Sequence, residues 1–186
     1  KSHGGQIWYE SPTFDGNATS SDTTTAPSTS TTKVMTIKST FGDTYRSTVY
    51  NNWRKAGSVA QGDYGYGDCT GCWFFGTAFS EKKKKTISKV QITITRNSGG
   101  SSSAVGLVVK SHGHSSRPSG APTFRTTAGT LLLASGKSDQ LVITNSTILN
   151  EIKSGVVKGF GIQATYDKSH YAVCSGSVTV KIEYQE

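Results

Sequence analysis

The stretch GDYGYGDCTGCWFFG, Gly62 to Gly76, sets a Cys-x-x-Cys among Tyr64, Tyr66, Trp73, Phe74 and Phe75. Two chemistries compete there. Cys69 and Cys72 at this spacing supply half of a tetrahedral zinc site, and Cys174 with His112, His114 or His170 would have to complete it. The motif is also compatible with a short-loop disulfide, or with free thiols that have no chemical role. A thioredoxin-like redox centre needs a βαβ context with a helix starting at the motif, and aromatic strand-like sequence follows instead. The aromatics offer flat faces to sugar rings. Trp53, Tyr64 and Tyr66 lie in polar, glycine-rich sequence that favours exposure, and Asp63 and Asp68 are placed to accept bonds from sugar hydroxyls. Trp73, Phe74 and Phe75 run straight into a strand and are read as core.

Two further segments carry chemistry. SHGHSSRPSG brings His112, His114 and Arg117 into a loop after a strand. Arg117 is a bidentate donor for phosphate or a sugar acid, and a His-x-His pair at a strand end can hold a metal. The bland alternative is a turn stiffened by Pro118 and Pro122. YDKSHY, Tyr166 to Tyr171, reads as a hairpin loop holding Tyr166, His170 and Tyr171, and loops at the ends of sandwiches often carry function. No G-x-S-x-G elbow, H-E-x-x-H or P-loop is present, and no pair of carboxylates stands out for glycoside hydrolysis, so we expect a binding protein, not an enzyme.

The elements that must position these residues have a period of two. Val90, Ile92 and Ile94 alternate with polar residues in KVQITITR, as do Val178, Val180, Ile182 and Tyr184 in SVTVKIEY. AVGLVVK puts Val105, Leu107 and Val109 on one face, and GFGIQATY puts Phe160, Ile162, Ala164 and Tyr166 on one face. VMTIKS and TYRSTVY read as two earlier strands, and Leu131–Leu133 and Leu141–Ile143 as two short ones. TNSTILNEIKSG predicts one short helix, capped by Asn145 or Ser146 and closed by Gly155. Eight or nine antiparallel strands with one helix give an all-β protein, an antiparallel, jelly-roll-like β-sandwich with an extended N-terminal segment.

Composition agrees. The chain has 186 residues and only 33% hydrophobic residues. A domain of that size buries about 70% of its unfolded surface, enough for a full core. Residues 16–32 lack large apolar groups and read as a linker, with an apolar island at Ile7–Phe14 before it. We therefore divide the chain into residues 1–33, a tail and linker, and residues 34–186, the sandwich. The chain starts at Lys1, not Met, so we expect a fragment or a processed product. No run of 18 apolar residues exists, so no membrane insertion is expected. The net charge of +8 suits an anionic partner. The run Lys82–Lys85 reads as a solvated turn, and no nucleic-acid-binding motif accompanies it.

The order AQGDYGYG, GCWFFG, KKTISKVQITITR, SSSAVGLVVKSHGHSSRPSGAP, ILNEIKSGVVKGFGI and YAVCSGSVTVKIEY resembles the C-terminal module of bacteriophage minor tail and tail fibre proteins of phages that infect Gram-positive bacteria. The resemblance covers roughly residues 40–186. It implies a β-sandwich adhesin in the virion, at the tip of the tail and outside the cell. Its partners would be host wall teichoic acid or cell-wall polysaccharide, other tail proteins, and further copies of itself in a homotrimer. No cofactor is implied. Cys69 and Cys72, read as lying in the loop before Trp73, depart from the expected pattern and leave a structural zinc or a local disulfide open for this chain. Two other readings stand beside it: a structural tail or decoration protein whose sandwich holds subunits together, and a secreted bacterial carbohydrate-binding domain.

Overall fold

In the computed structural model, residues 30–79 and 86–185 are described. The apolar island Ile7–Phe14, most of the linker and the run Lys82–Lys85 lie outside the described residues. Among the described residues, twelve strands, one α-helix and a 3-10 turn make an all-β, sandwich-like fold, with more strands than the eight or nine expected.

The strands are β1 (Thr32–Lys38), β2 (Phe41–Arg46), β3 (Asn52–Trp53), β4 (Ser58–Asp63), β5 (Asp68–Phe74), β6 (Thr86–Gly100), β7 (Val105–His112), β8 (Thr127–Leu133), β9 (Ser138–Ile143), β10 (Gly159–Ile162), β11 (Ala172–Ser175) and β12 (Thr179–Gln185). The helix α1 spans Ser146–Lys153, and the 3-10 turn spans Lys168–His170. All pairings are antiparallel. The two layers are not separate sheets. One path runs β1-β12-β6-β11-β4-β5-β10-β7-β8, with β9 added to β6, and β2 with β3 added to β5. The sheet curls so that β12, β6 and β9 face β5, β10 and β7 across the core.

Alternation explains what fills that core. Val90, Ile92 and Ile94 of β6, Val180 and Ile182 of β12, Leu107 and Val109 of β7, and Phe160 and Ile162 of β10 all point inward and are buried. Trp73 and Phe75 join them, as expected, and Trp73 Nε1 donates to Ser175 O at 2.8 Å. The helix closes one side through Ile148, Leu149 and Ile152. Asn145 is its N-cap, with Oδ1 accepting from Thr147 N at 2.9 Å and Ile148 N at 3.4 Å. Gly155, at φ +75°, ends it: Gly155 N donates to Ile152 O and Val156 N to Glu151 O.

Three expectations need correction. TYRSTVY is not one strand: β2 ends at Arg46, and positive φ at Thr48 and Asn51 turns the chain into β3. GFGIQATY is strand only to Ile162, so Tyr166 leaves the face of Phe160. Cys69 and Cys72 do not lie in a loop. They belong to β5, in unbroken register with β2 from Phe41↔Phe74 to Arg46↔Cys69. Glycine makes that packing feasible, because β4 crosses the inner face of β5 at Gly71. A Cβ there would stand 2.7 Å from Ala60 N and 2.4 Å from a Val59 methyl.

Candidate functional site: a tyrosine and arginine surface

The Cys-x-x-Cys is a structural element. Residues three apart on a strand face opposite ways, so Cys69 and Cys72 cannot share a metal or bridge. Among the described residues no three His, Cys, Asp or Glu side chains are grouped to hold a metal ion, and all three cysteines are free and buried. Burial pushes Cys69 up to about 11 and Cys174 up to about 12, and raises Cys72 as well.

The loop after β7, residues 113–126, lies as a strap across the outer face of the β2, β5, β10 and β7 layer. Beneath it sits a second small core. Phe41 stacks on Phe74 at 4.7 Å, Trp53 meets Phe74 edge-on at 5.8 Å, and Phe124 packs edge-on against His112 at 6.2 Å. His112 is wholly buried. Its Nε2 lies 3.1 Å from Trp73 O and 3.2 Å from Phe160 O, so it carries the proton there, while Nδ1 accepts from His114 N. Desolvation lowers its pKa to about 4 and keeps it neutral. Nε2 of His114 accepts from Thr123 N at 3.1 Å. The two histidines shape the strap and do not form a pair of outward-facing ligands. Trp53 is half-buried rather than a free platform, with Nε1 donating to Pro118 O at 2.8 Å.

Asp43 and Arg117 fasten the strap. Asp43 is buried, and its carboxylate accepts from Thr44 N, Lys55 N and Ala56 N as well as from Arg117. This leaves Arg117 at the rim of an open groove of about 600 Å³, where Arg46, Arg54 and Lys55 join it beside Trp53 and Asn52. Among the described residues, no ion pair with a carboxylate is formed by Arg46, Arg54 or Lys55, so the groove is strongly electropositive.

Two of the residues that line this groove, Arg46 and Arg54, also lie beside Tyr64 and Tyr171. Tyr64 lies 5.9 Å from Tyr66 and 6.0 Å from Tyr171, ring centre to ring centre. Arg46 stacks over Tyr50 at 3.9 Å. Arg46 and Tyr50 lie near Tyr64, whose buried hydroxyl has no hydrogen-bond partner among the described residues, and Arg54 lies near Tyr171. Burial raises the pKa of both phenols, so they are neutral donors at physiological pH. Tyr66 is 70% exposed and Tyr50 44%.

Local backbone builds this cluster. Asp63 Oδ1 accepts from Gly65 N and Gly67 N and turns the chain through Tyr64–Gly67, and Asp68 Oδ2 accepts from Thr48 Oγ1. Both carboxylates thus serve their own loops rather than standing free for a ligand. Gly62, at φ +81°, lets the His170–Tyr171 backbone press against the loop, since a Cβ there would be 2.6 Å from Tyr171 N. Gln61 holds the same turn: Nε2 donates to Gly106 O and His170 O, and Oε1 accepts from Val108 N. Asp167 caps the 3-10 turn by accepting from His170 N, Ser169 Oγ and His170 Nδ1. These hydrogen bonds, Ser169's first, lower its pKa to about 2.

Of the residues expected to bind, Tyr64, Tyr66, Tyr171 and Arg117 therefore border one connected surface. His170 forms part of the supporting turn, and Tyr166 points to the opposite side of β5. Sequence reasoning missed Arg46, Tyr50, Arg54 and Lys55. The run YNNWRKAG held most of the signal, and a positively charged stretch beside Trp53 was the sign to follow.

What fold and site define is a β-sandwich-like domain with an aromatic and cationic surface at one end. Compared with known proteins, the chain matches no family model and no curated protein sequence. No helix among the described residues is long and apolar enough to cross a membrane.

Proposed function

We propose that the domain is a receptor-binding module of a phage tail that recognises a glycan on the surface of a Gram-positive host. The observation that carries the reading is that Arg46 and Arg54, which line the groove with Lys55 and Arg117, also lie beside Tyr64 and Tyr171, with Tyr66 next to Tyr64. Tyrosine rings suit the C–H faces of sugars. Guanidinium groups suit phosphate or carboxylate, each with paired N–H donors. Together they fit an anionic wall polymer such as teichoic acid, in which sugars or polyols alternate with phosphodiesters. The reading requires no metal or cofactor.

Each site is shallow and open, so one contact is weak. A homotrimer would present three copies, and simultaneous engagement raises the effective affinity by roughly 10² or more where the spacing fits. Because the attraction is electrostatic in part, binding weakens as salt rises.

The test is binding of the purified, fluorescently labelled chain to Gram-positive cells and to their isolated wall polymers at two salt concentrations. Saturable binding that free polymer competes away, and that falls with salt, is the expected result. A folded chain that binds no wall preparation would move the assignment to a structural tail protein, with the tyrosine surface as a subunit contact.

A further inference from the structure

The residues Tyr166 and Tyr171 belong to one turn, yet they serve opposite sides of β5. Tyr171 lies on the side of Cys69, among Tyr64 and Arg54. Tyr166 turns to the side of Thr70, whose Oγ1 is 3.2 Å from the Tyr166 hydroxyl. There the strap ends and the outer face of the layer is open. A groove of about 520 Å³ remains, lined by Val108, Lys110, Thr127, Gln163, Thr165 and Tyr166.

The polar groups of this groove are already ordered. Gln163 Nε2 donates to the Tyr166 hydroxyl at 2.8 Å, and Lys110 Nζ donates to Gln163 Oε1 at 3.0 Å. Gln163 N donates to Val108 O at 3.1 Å and fixes the segment on β7. The Tyr166 ring is 43% exposed and cannot swing freely, because its hydroxyl is held from two sides. A ligand laid on that ring meets a surface whose ordering cost is already met by the fold. Lys110 keeps two further N–H donors, and Thr127 adds a hydroxyl.

We infer that this groove is a second saccharide subsite, separate from the tyrosine and arginine surface, which takes one pyranose ring on Tyr166 with its hydroxyls bound by Lys110, Gln163 and Thr127. The chemistry selects a sugar ring. One aromatic face and a rim of donors and acceptors match a ligand that is apolar on its C–H face and polar around its edge. Among the described residues that line the groove, Lys110 is the only basic or acidic one, so a ring bearing a carboxylate binds more tightly than its neutral counterpart. This inference concerns sugar recognition and deepens the glycan-binding reading, while using residues that the other surface does not.

Saturation-transfer NMR on the full chain tests it, with methyl glucopyranoside, methyl N-acetylglucosaminide, methyl rhamnopyranoside and methyl glucuronoside as probes. Tyr166→Ala and Lys110→Met are compared with Tyr66→Ala, and an amide correlation spectrum verifies the fold of each. The expected result is transfer to pyranose C–H protons in the wild type and in Tyr66→Ala, with binding roughly tenfold weaker in Tyr166→Ala. Lys110→Met, which removes the ammonium charge together with its bond to Gln163 Oε1, lowers the glucuronoside signal most. Transfer that survives in Tyr166→Ala and disappears in Tyr66→Ala overturns the second subsite and leaves the first surface in place. No transfer to any of the four pyranosides also overturns it. The wall-polymer assay then judges the glycan-binding reading by itself.

Discussion

Arg117 Nη1 lies 2.9 Å from Asp43 Oδ2, which joins the middle of the strap to a buried carboxylate on β2. Asp43 is almost wholly enclosed, whereas the Arg117 side chain is 36% exposed. The pair thus works asymmetrically: the acid anchors, and the guanidinium is held at the mouth of the electropositive groove. Asp43→Ala removes the acceptor for Lys55 N, Ala56 N and Arg117 together, and costs about 3 kcal/mol in denaturant unfolding. Arg117→Ala costs about 1 kcal/mol, because Asp43 keeps its backbone donors and the arginine is partly solvated. Wall-polymer binding should fall in both, and a stable Arg117→Ala with unaltered binding would remove Arg117 from the site.

The tyrosines separate by burial. Tyr66→Ala leaves the midpoint of thermal unfolding within about 2 °C, since exposed side chains contribute within roughly 0.5 kcal/mol. Tyr64→Ala lowers it, because Tyr64 packs between Tyr66 and Tyr171. Both reduce cell binding. Arg46→Gln with Arg54→Gln reduces binding too, and also flattens its dependence on salt, which the Tyr66 substitution leaves unchanged. Calorimetry and binding at two salt concentrations check the set.

Acid should destabilise the fold in a window set by His112. Its folded pKa is about 4, below the ordinary histidine value of 6.5. The unfolded chain therefore takes up a proton between these values that the native state refuses. Stability is full above pH 7, falls as the pH drops through 6.5, and levels off below 4, a loss of roughly 3 kcal/mol. His112→Gln, which keeps a side-chain N–H donor but does not titrate, should be less stable at pH 7 yet flatter across that window. Unfolding free energies from pH 4 to 8 give the slope directly.

None of the three cysteines should react with Ellman's reagent at pH 8 while the chain is folded. All are buried, with Cys69 at about 11 and Cys174 at about 12, so little thiolate exists. Three equivalents of thiol should appear only on denaturation, as the three cysteines of the sequence require. Zinc added to the folded chain should leave its melting temperature unchanged. A rapid release of two thiols from native protein would contradict the strand placement of Cys69 and Cys72.

Alternating apolar residues determined much of this protein by themselves. The inward faces of β6, β7, β12 and the start of β10 follow from a period of two, and α1 follows from Asn145, its apolar stripe and Gly155, because these signals are local. The tertiary structure alone decided the site. Whether Cys69 and Cys72 sit in a loop or a strand depends on β2 and β4 packing around Gly71, contacts distant in sequence. Whether His112 is a ligand or a neutral core residue depends on Trp73 O and Phe160 O. The meeting of Arg46 with Tyr64, of Arg117 with Asp43, and the parting of Tyr166 from Tyr171 across β5 all come from long-range pairing. Residue types fix what each side chain is able to do, but only chain crossings fix which side chains do it together.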